Sequence, residues 1–333
     1  MKVTIICGGL THERDVSLRS GRRVAESLRH LGHDVDVLDV NSELILTLQS
    51  SRPDVVWPLV HGSVGEDGSL QAVLDLLGLP YVGSDAAGAM LTIYKPSAKE
   101  MVRRAGISTP PAVALPRVLF QQLGATGVVD ALMERFPFPV VVKPAEGGSS
   151  LGVTVARNQD ELRIGLVNAF SYGETAMIEA FVVGKEVAVS VICTEEGPQP
   201  LPAVEIVTDG VYDYDARYNA GRSEYFVPAR LTDAERANAE AAAVGTHLAL
   251  GLRDYSRTDL LIDANGCAQV IDCNTSPGMT DTSLFPLAAT AERGFDEMVG
   301  FLVERAAARG GSVVDVAAGE YAEPAGDSLA GSQ

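Results

Sequence analysis

Arg257, Asp259, Asp272 and Asn274 lie along one short stretch, RTDLLIDANGCAQVIDCNTSPGM, running from residue 257 to 279. Two apolar runs, TDLLID and CAQVID, flank a small-residue turn containing Asn-Gly, a strong signal for a β-hairpin. With Ala264 to Cys267 as a four-residue loop, Asp263 faces Ala268, Asp259 faces Asp272 and Arg257 faces Asn274. Side chains alternate with period two and cross-strand partners share a face, so these polar groups all project the same way. Opposed carboxylates repel each other, which calls for a cation between them. Two carboxylates and an amide oxygen suit a hard ion such as Mg²⁺, which binds through one or two carboxylates plus substrate phosphates. For one aspartate alone a solvated hairpin face is the simpler reading. Three oxygen ligands with an arginine, closed by the SPG turn, favour a site.

Lys143 heads the stretch KPAEGGSSLG, residues 143–152. The N–H groups and hydroxyls of such a loop can wrap phosphate oxygens while the lysine supplies a point charge; a plain hairpin loop is the alternative. The stretch is not a P-loop, and CGGLTHERD lacks GxGxxG, which leaves a dehydrogenase a poor third. In AMIEAFVVGKE, Glu186 can accept from ribose hydroxyls while the backbone at Phe181 and Val182 reads an adenine edge. Taken singly, Glu179 and Glu186 are surface charges. Glu13, beside Gly8-Gly9, can bind an amine or accept a proton, or simply sit in the first turn of a helix. His61 at a strand end is a catalytic candidate, although a lone histidine is more often structural. Tyr218 in YDYDARY can close a lid or be a surface aromatic.

Regular elements must hold these groups. Residues 1 to about 93 alternate strand and helix: KVTIICGG, SLRSGRRVAESLRHLG, DVDVLDV, PDVVWPLVHG, GSLQAVLDLLGL and a short fourth strand PYVG. Such alternation predicts a parallel sheet with binding loops at the carboxyl ends of its strands, where GGLTHERDVS and HGSVGEDGS fall. From Lys95 come a helix, SAKEMVRRAG, a Pro-rich joint, STPPAVAL, and two strands joined by the Gly-Ser loop. TAMIEAFVVGKEVAVSVIC reads as a further strand pair across Gly184, with a domain boundary there. Beyond it lie the helix DAERANAEAAAVGTHLALG, the opening hairpin and a closing helix, FDEMVGFLVERAAARG. The expected division is 1–93, 94–184 and 185–308, followed by a mobile tail, 309–333, rich in Ala, Gly and Ser.

Composition bounds the function. At 333 residues, 46% hydrophobic and 21% charged, the chain reads as an ordinary globular protein of two or three domains. A net charge of -18 argues against nucleic acid as a partner. No secretory leader and no run of about 18 apolar residues is visible, which predicts a cytoplasmic protein without a membrane partner. Cys7, Cys193, Cys267 and Cys273 form no CxxC and read as buried free thiols.

Together these pieces resemble one family, the D-alanine-D-alanine ligases of the ATP-grasp superfamily. The resemblance rests on GGLTHERDVS, LVHGSVGEDGSLQ, LPYVGS, VVKPAEGGSSLG, YDYDARY, RTDLLID and IDCNTSPGMTDTSL, in the family's order over residues 3 to about 305. It implies a three-domain α/β ATP-grasp architecture with ATP between the central and C-terminal domains. It also implies a reaction in which ATP phosphorylates one D-alanine and the amine of a second attacks the acyl phosphate. By matching position, Lys95 and Lys143 hold phosphates, Glu179 and Glu186 hold adenine and ribose, and Phe181 and Val182 form the hinge. Asp259, Asp272 and Asn274 bind two Mg²⁺, for which Mn²⁺ can substitute. Arg257 and the Gly278 backbone stabilise the oxyanion. Glu13 takes the first substrate's ammonium, while Ser283 and Leu284 N–H take the second's carboxylate. Glu13, Ser150 and Tyr218 match the triad that links three segments when the lid closes, with His61 and Arg217 beside the substrates. A homodimer through the N-terminal domain is also implied.

Three positions depart from the family's pattern. Asp272 stands where Glu is usual, Arg217 stands for the lid Lys, and Ile93-Tyr94-Lys95 replaces MDK. Arg and Lys are not interchangeable at a phosphate or carboxylate. The runner-up is therefore a ligase of the same mechanism joining other small amino or hydroxy acids, and the contrasting class is a nucleotide-binding module without turnover.

Overall fold

The structure, a computed structural model, describes residues 1–208 and 222–312. Arg217, Tyr218 and all but the first residues of the expected tail lie outside them. The N-terminal part runs β1 (Lys2–Cys7), α1 (Arg14–His30), β2 (Asp34–Asp39), α2 (Leu44–Ser51), β3 (Val55–Pro58) and α3 (Ser69–Leu76). Its sheet is parallel in the order β2-β1-β3, and every β1 residue after Lys2 is buried. A strand covered on both faces requires an unbroken apolar run such as VTIIC. The fourth strand expected at PYVG reduces to one bridge between Val56 and Tyr81, because Pro80 has no N–H with which to extend a ladder.

Next come α4 (Ala86–Ile93), α5 (Lys95–Arg104), β4 (Ala112–Pro116), α6 (Arg117–Leu123), α7 (Ala125–Arg135), β5 (Val140–Pro144), β6 (Thr154–Ala156), α8 (Gln159–Phe170) and β7 (Thr175–Ala180). Their antiparallel sheet has the order β4-β7-β5-β6. The Pro-rich joint is thus partly a strand, and it tolerates proline because β4 lies at the sheet edge. Val140, Val142, Leu162, Leu166 and Ile178 pack with α7 residues Val129 and Leu132 into a core of their own.

The remaining elements are β8 (Gly184–Thr194), β9 (Gly197–Pro200), β10 (Val204–Thr208), β11 (Ser223–Phe226), α9 (Asp233–Ala249), β12 (Tyr255–Asp263), β13 (Ala268–Asn274), α10 (Leu284–Glu292) and α11 (Phe295–Arg309). They build the largest sheet, β11-β10-β8-β12-β13, with β9 also on β8. β7 and β8 are therefore not the strand pair expected across Gly184. They belong to different sheets, and residues 181–183 carry the chain between them. A Cβ on Gly184 would sit 2.4 Å from the Ile262 carbonyl oxygen, so the crossing requires glycine.

Successive residues of β8 serve opposite faces of this sheet. Val187, Val189 and Val191 meet α9 through Ala239 and Ala243, while Ala188 and Ile192 join a core that reaches Ile5 and Trp57 of the parallel sheet. Trp57 Nε1–H donates to the Tyr255 hydroxyl at 3.1 Å, and Tyr255 stacks edge-on with Phe285. Burying aromatics with their polar tips satisfied ties the first sheet firmly to the strand that carries Arg257 and Asp259.

Candidate active site

The acidic hairpin forms, with Arg257 opposite Asn274 and Asp259 opposite Asp272. Nearer the turn its register differs from the regular four-residue loop expected. Leu260 pairs with Val270 and Ile262 with Ala268, so Asp263 faces Cys267, not Ala268, and Ile271 is an extra residue in a β-bulge. The cause is Asp263 itself. Its carboxylate accepts from the N–H groups of Asn265 and Cys267 at 2.9 and 3.0 Å, an Asx-type closure that shortens the turn. The bulge then restores the facing of the two site aspartates. It also takes Ile271 out of the ladder, and the Ile271 carbonyl accepts from Lys143 Nζ at 3.2 Å.

Cations of the chain itself offset the opposed carboxylates. Arg257 grips Asp259 with two hydrogen bonds, and Lys95 Nζ lies 3.2 Å from Asp272 Oδ1 while donating to the Gly147 carbonyl at 2.7 Å. Asn274 Oδ1 accepts from Ser276 N–H at 2.8 Å.

A cavity of about 450 Å³ opens between the four-stranded sheet and the large one. Lys95, Lys143, Glu179, Phe181, Val182 and Glu186 line it together with Arg257, Asp259, Asp272 and Asn274, so every nucleotide and metal candidate meets one space. This size is typical of small-molecule sites. Glu179 differs from expectation in what its carboxylate touches: Lys99 Nζ at 2.7 Å and Lys143 Nζ at 3.4 Å. Lys99 in turn donates to Thr109 Oγ1, and that hydroxyl donates to the Val270 carbonyl at 2.7 Å. Lys99 and Thr109 escaped the sequence reading. The available signal was the spacing of Lys95 and Lys99, four residues apart and so on one face of α5.

A second cavity, about 400 Å³, is lined by Gly9, Thr11, His12, Glu13, Gly62 and Tyr172. Pro144, Glu146, Gly147, Gly148 and Leu151 line both. Glu13 is buried, and the Ser149 hydroxyl donates to its carboxylate. Ser149 was not singled out from sequence, where Ser150 was. Both serines sit at positive φ, +51° and +57°, a turn that sequence does not reveal when no glycine occupies it. Gly62 leaves room for the acid, since a Cβ there would lie 3.0 Å from Glu13 Oε2.

His61 is buried behind this cavity. Its Nε2 is 3.3 Å from Ser20 Oγ and its Nδ1 3.7 Å from Glu66. Ser20 Oγ accepts from Met279 N–H at 3.0 Å, so the histidine is tied to the SPGM segment. Burial pushes the Glu66 carboxyl up, opposed by the neighbouring His61 imidazole. Ser20 and Glu66 were both missed. Ser283 stands at the N-cap position of α10, and its hydroxyl makes no capping bond to the helix but accepts from Thr280 N–H at 3.1 Å. Leu284 opens the helix, where N–H groups lack intrahelical partners and favour a carboxylate. Gly278 adjoins this cap, since a Cβ on it would lie 2.8 Å from Ser283 Oγ.

Among the described residues no cluster of three or more His, Cys, Asp or Glu side chains is poised for a metal, and no helix is long and apolar enough to cross a membrane.

Known proteins are similar to this chain in sequence and fold. Residues 44–84 match the family described as D-ala D-ala ligase N-terminus, and residues 101–304 the one described as D-ala D-ala ligase C-terminus. The D-alanine--D-alanine ligase of Moorella thermoacetica is 39% identical over 292 residues, which is 87% of this chain and 94% of that one. Among solved structures, D-alanine--D-alanine ligase from Bacillus anthracis complexed with ATP has a TM-score of 0.76 at 25% identity, covering 93% of this chain and 98% of that one. VanG D-Ala:D-Ser ligase from Enterococcus faecalis has a TM-score of 0.77 at 25% identity, covering 92% and 99%. The relatives cover most of this chain, and the chain belongs to the D-alanine-D-alanine ligase family.

Proposed function

We propose that the protein is an ADP-forming ligase that joins two D-alanines for peptidoglycan synthesis, working in the cytoplasm. Two cavities separated by one Gly-Ser wall carry the reading: lysines and opposed carboxylates line one, and the buried acid Glu13 lines the other. The relatives, named as D-alanine--D-alanine ligases, and the ATP in the Bacillus anthracis complex support the two substrates.

In this reading Lys95 and Lys143 hold ATP phosphates, Glu186 faces the ribose, and the backbone at Phe181 and Val182 receives the base. Glu13 pairs with the ammonium of the first D-alanine, directing its carboxylate toward the γ-phosphate. Arg257 and the Gly278 N–H meet the negative charge that develops on the attacked carbonyl, where fixed donors accelerate most. Ser283 and the Leu284 N–H hold the carboxylate of the second D-alanine, whose amine attacks the acyl phosphate and expels phosphate. The all-oxygen set of Asp259, Asp272 and Asn274 fits two Mg²⁺, or Mn²⁺ in their place. When bound there, such ions would supply positive charge to offset that of the phosphates. Ser149, bonded to Glu13, holds the loop over the first substrate and limits water, which would hydrolyse the acyl phosphate. A homodimer through residues 1–93 fits the exposed Leu46 and Leu76 there.

Phosphate release with ATP, Mg²⁺ and paired amino acids tests the reading, with the product identified by mass. D-alanine should stimulate release far more than L-alanine, and the product should be D-alanyl-D-alanine. A second reading, another small second substrate, is favoured by Asp272 and Arg217 and by the likeness to a D-Ala:D-Ser ligase. Robust turnover with D-serine or D-lactate and none with D-alanine alone would select it.

A further inference from the structure

Two ammonium groups and one carboxylate are packed together beneath the nucleotide cavity. Lys99, Lys143 and Glu179 are 9%, 7% and 3% exposed. Lys143 and Glu179 line the cavity, whereas Lys99 does not. The closer contact is nevertheless the one outside it: Lys99 Nζ stands 2.7 Å from Glu179, against 3.4 Å for Lys143. Lys99 also reaches the hairpin through Thr109 and the Val270 carbonyl, while Lys143 holds the next carbonyl, that of Ile271. These two carbonyls flank the bulge immediately before Asp272.

We propose that Lys99 is a positioning residue for nucleotide binding: it neutralises Glu179, which leaves the charge of Lys143 to the triphosphate, and through Thr109 it steadies the bulge that presents Asp272. The proposal rests on the ATP-ligase reading above. A buried ammonium is costly unless paired, so a position serving only helix packing would be filled better by an apolar side chain. Burial draws the Lys99 ammonium below its ordinary pKa, and Glu179 acts most strongly against this. Without Lys99, Glu179 keeps Lys143 as its one cationic partner among the described residues, and that pairing draws the Lys143 charge away from the phosphates.

The charges make this testable. The three groups now sum to one positive charge. Lys99→Met brings the sum to zero, and Lys99→Met/Glu179→Gln returns it to one. A purely structural role makes the double variant no better than the single.

The experiment is calorimetry on the full chain with ATP and, in parallel, adenosine, which carries no phosphate. Lys99→Met should weaken ATP binding by about ten-fold or more and leave adenosine unchanged. Lys99→Arg should remain near wild type, and the double variant should recover most of the loss. Equal losses for ATP and adenosine, or no recovery in the double variant, would overturn the proposal. Should Lys99→Met fail to fold, Lys99→Gln, which makes the same change of charge, is read by the same criteria. Wild-type protein that binds no ATP would overturn the ligase reading itself. ATP binding by the wild type with an unaffected Lys99→Met sinks only the role of Lys99.

Discussion

Arg257 and Asp259, two residues apart and therefore on one face of β12, form a bidentate ion pair with Nε–Oδ1 at 2.6 Å and Nη2–Oδ2 at 2.9 Å. Both are buried, so the expected catalytic cation and the expected metal ligand fix each other's plane before any substrate arrives. Asp259→Ala removes the carboxylate partner of a buried guanidinium and should destabilise the fold by about 3–5 kcal/mol. Denaturant unfolding reads this as a lower midpoint with an unchanged slope. A loss below about 1 kcal/mol would show that the pair is structurally dispensable.

Asp272→Asn should leave the fold intact while raising the Mg²⁺ concentration needed for phosphate release and lowering the maximal rate. The substitution removes one of two facing carboxylates and the ion partner of Lys95. Mg²⁺ titration of initial rates checks it, and an unchanged Mg²⁺ dependence would exclude the hairpin as the metal site.

Lys143→Ala should weaken ATP binding by about ten-fold or more while leaving D-alanine affinity within about two-fold, because its ammonium lines only the nucleotide cavity. Calorimetry with each ligand separates the two. Equal losses for both ligands would mean that the loop has collapsed and would not support a phosphate role.

His247 links stability to pH. It is buried on α9 with Nδ1 2.8 Å from Ser256 Oγ and Nε2 3.1 Å from Cys193 Sγ, and burial lowers its pKa from 6.5 to about 4. Between those values the unfolded chain binds a proton that the folded chain refuses, so stability falls as pH falls. The contribution is complete above about pH 6.5, and about 3 kcal/mol is lost on descending to about pH 4. Unfolding midpoints across this window should slope in the wild type and flatten in His247→Gln. Parallel slopes in the two proteins would assign the effect to other groups.

Sequence legibility followed the range of the interactions. The parallel strands and the Gly-Ser loop are governed by local periodicity and turn chemistry, and they were readable; the facing of Asp259 with Asp272 came out as expected only because the bulge offsets the shortened turn. The bulge at Ile271 was not. It depends on Asp263 closing its own turn, a side-chain contact with no effect on hydrophobic alternation. The separation of β7 from β8 was hidden for a similar reason, since two apolar runs around a glycine read alike whether the chain turns back or crosses to another sheet. Beyond its spacing from Lys95, Lys99 read as a surface lysine, because its partners Glu179 and Thr109 come from other segments. The choice of Ser149 for Glu13 depends on two successive backbone dihedrals that serine adopts only when its surroundings impose them.

Pro144, Glu146, Gly147, Gly148 and Leu151 belong to the walls of both cavities. If this shared partition shifts toward one chamber it enlarges the other, which would couple the two occupancies. If nucleotide changes amino-acid affinity by some factor, thermodynamic reciprocity requires the amino acid to change nucleotide affinity by the same factor. The size and sign of that coupling then become a property of this loop, and a substitution in it alters the response of both pockets together.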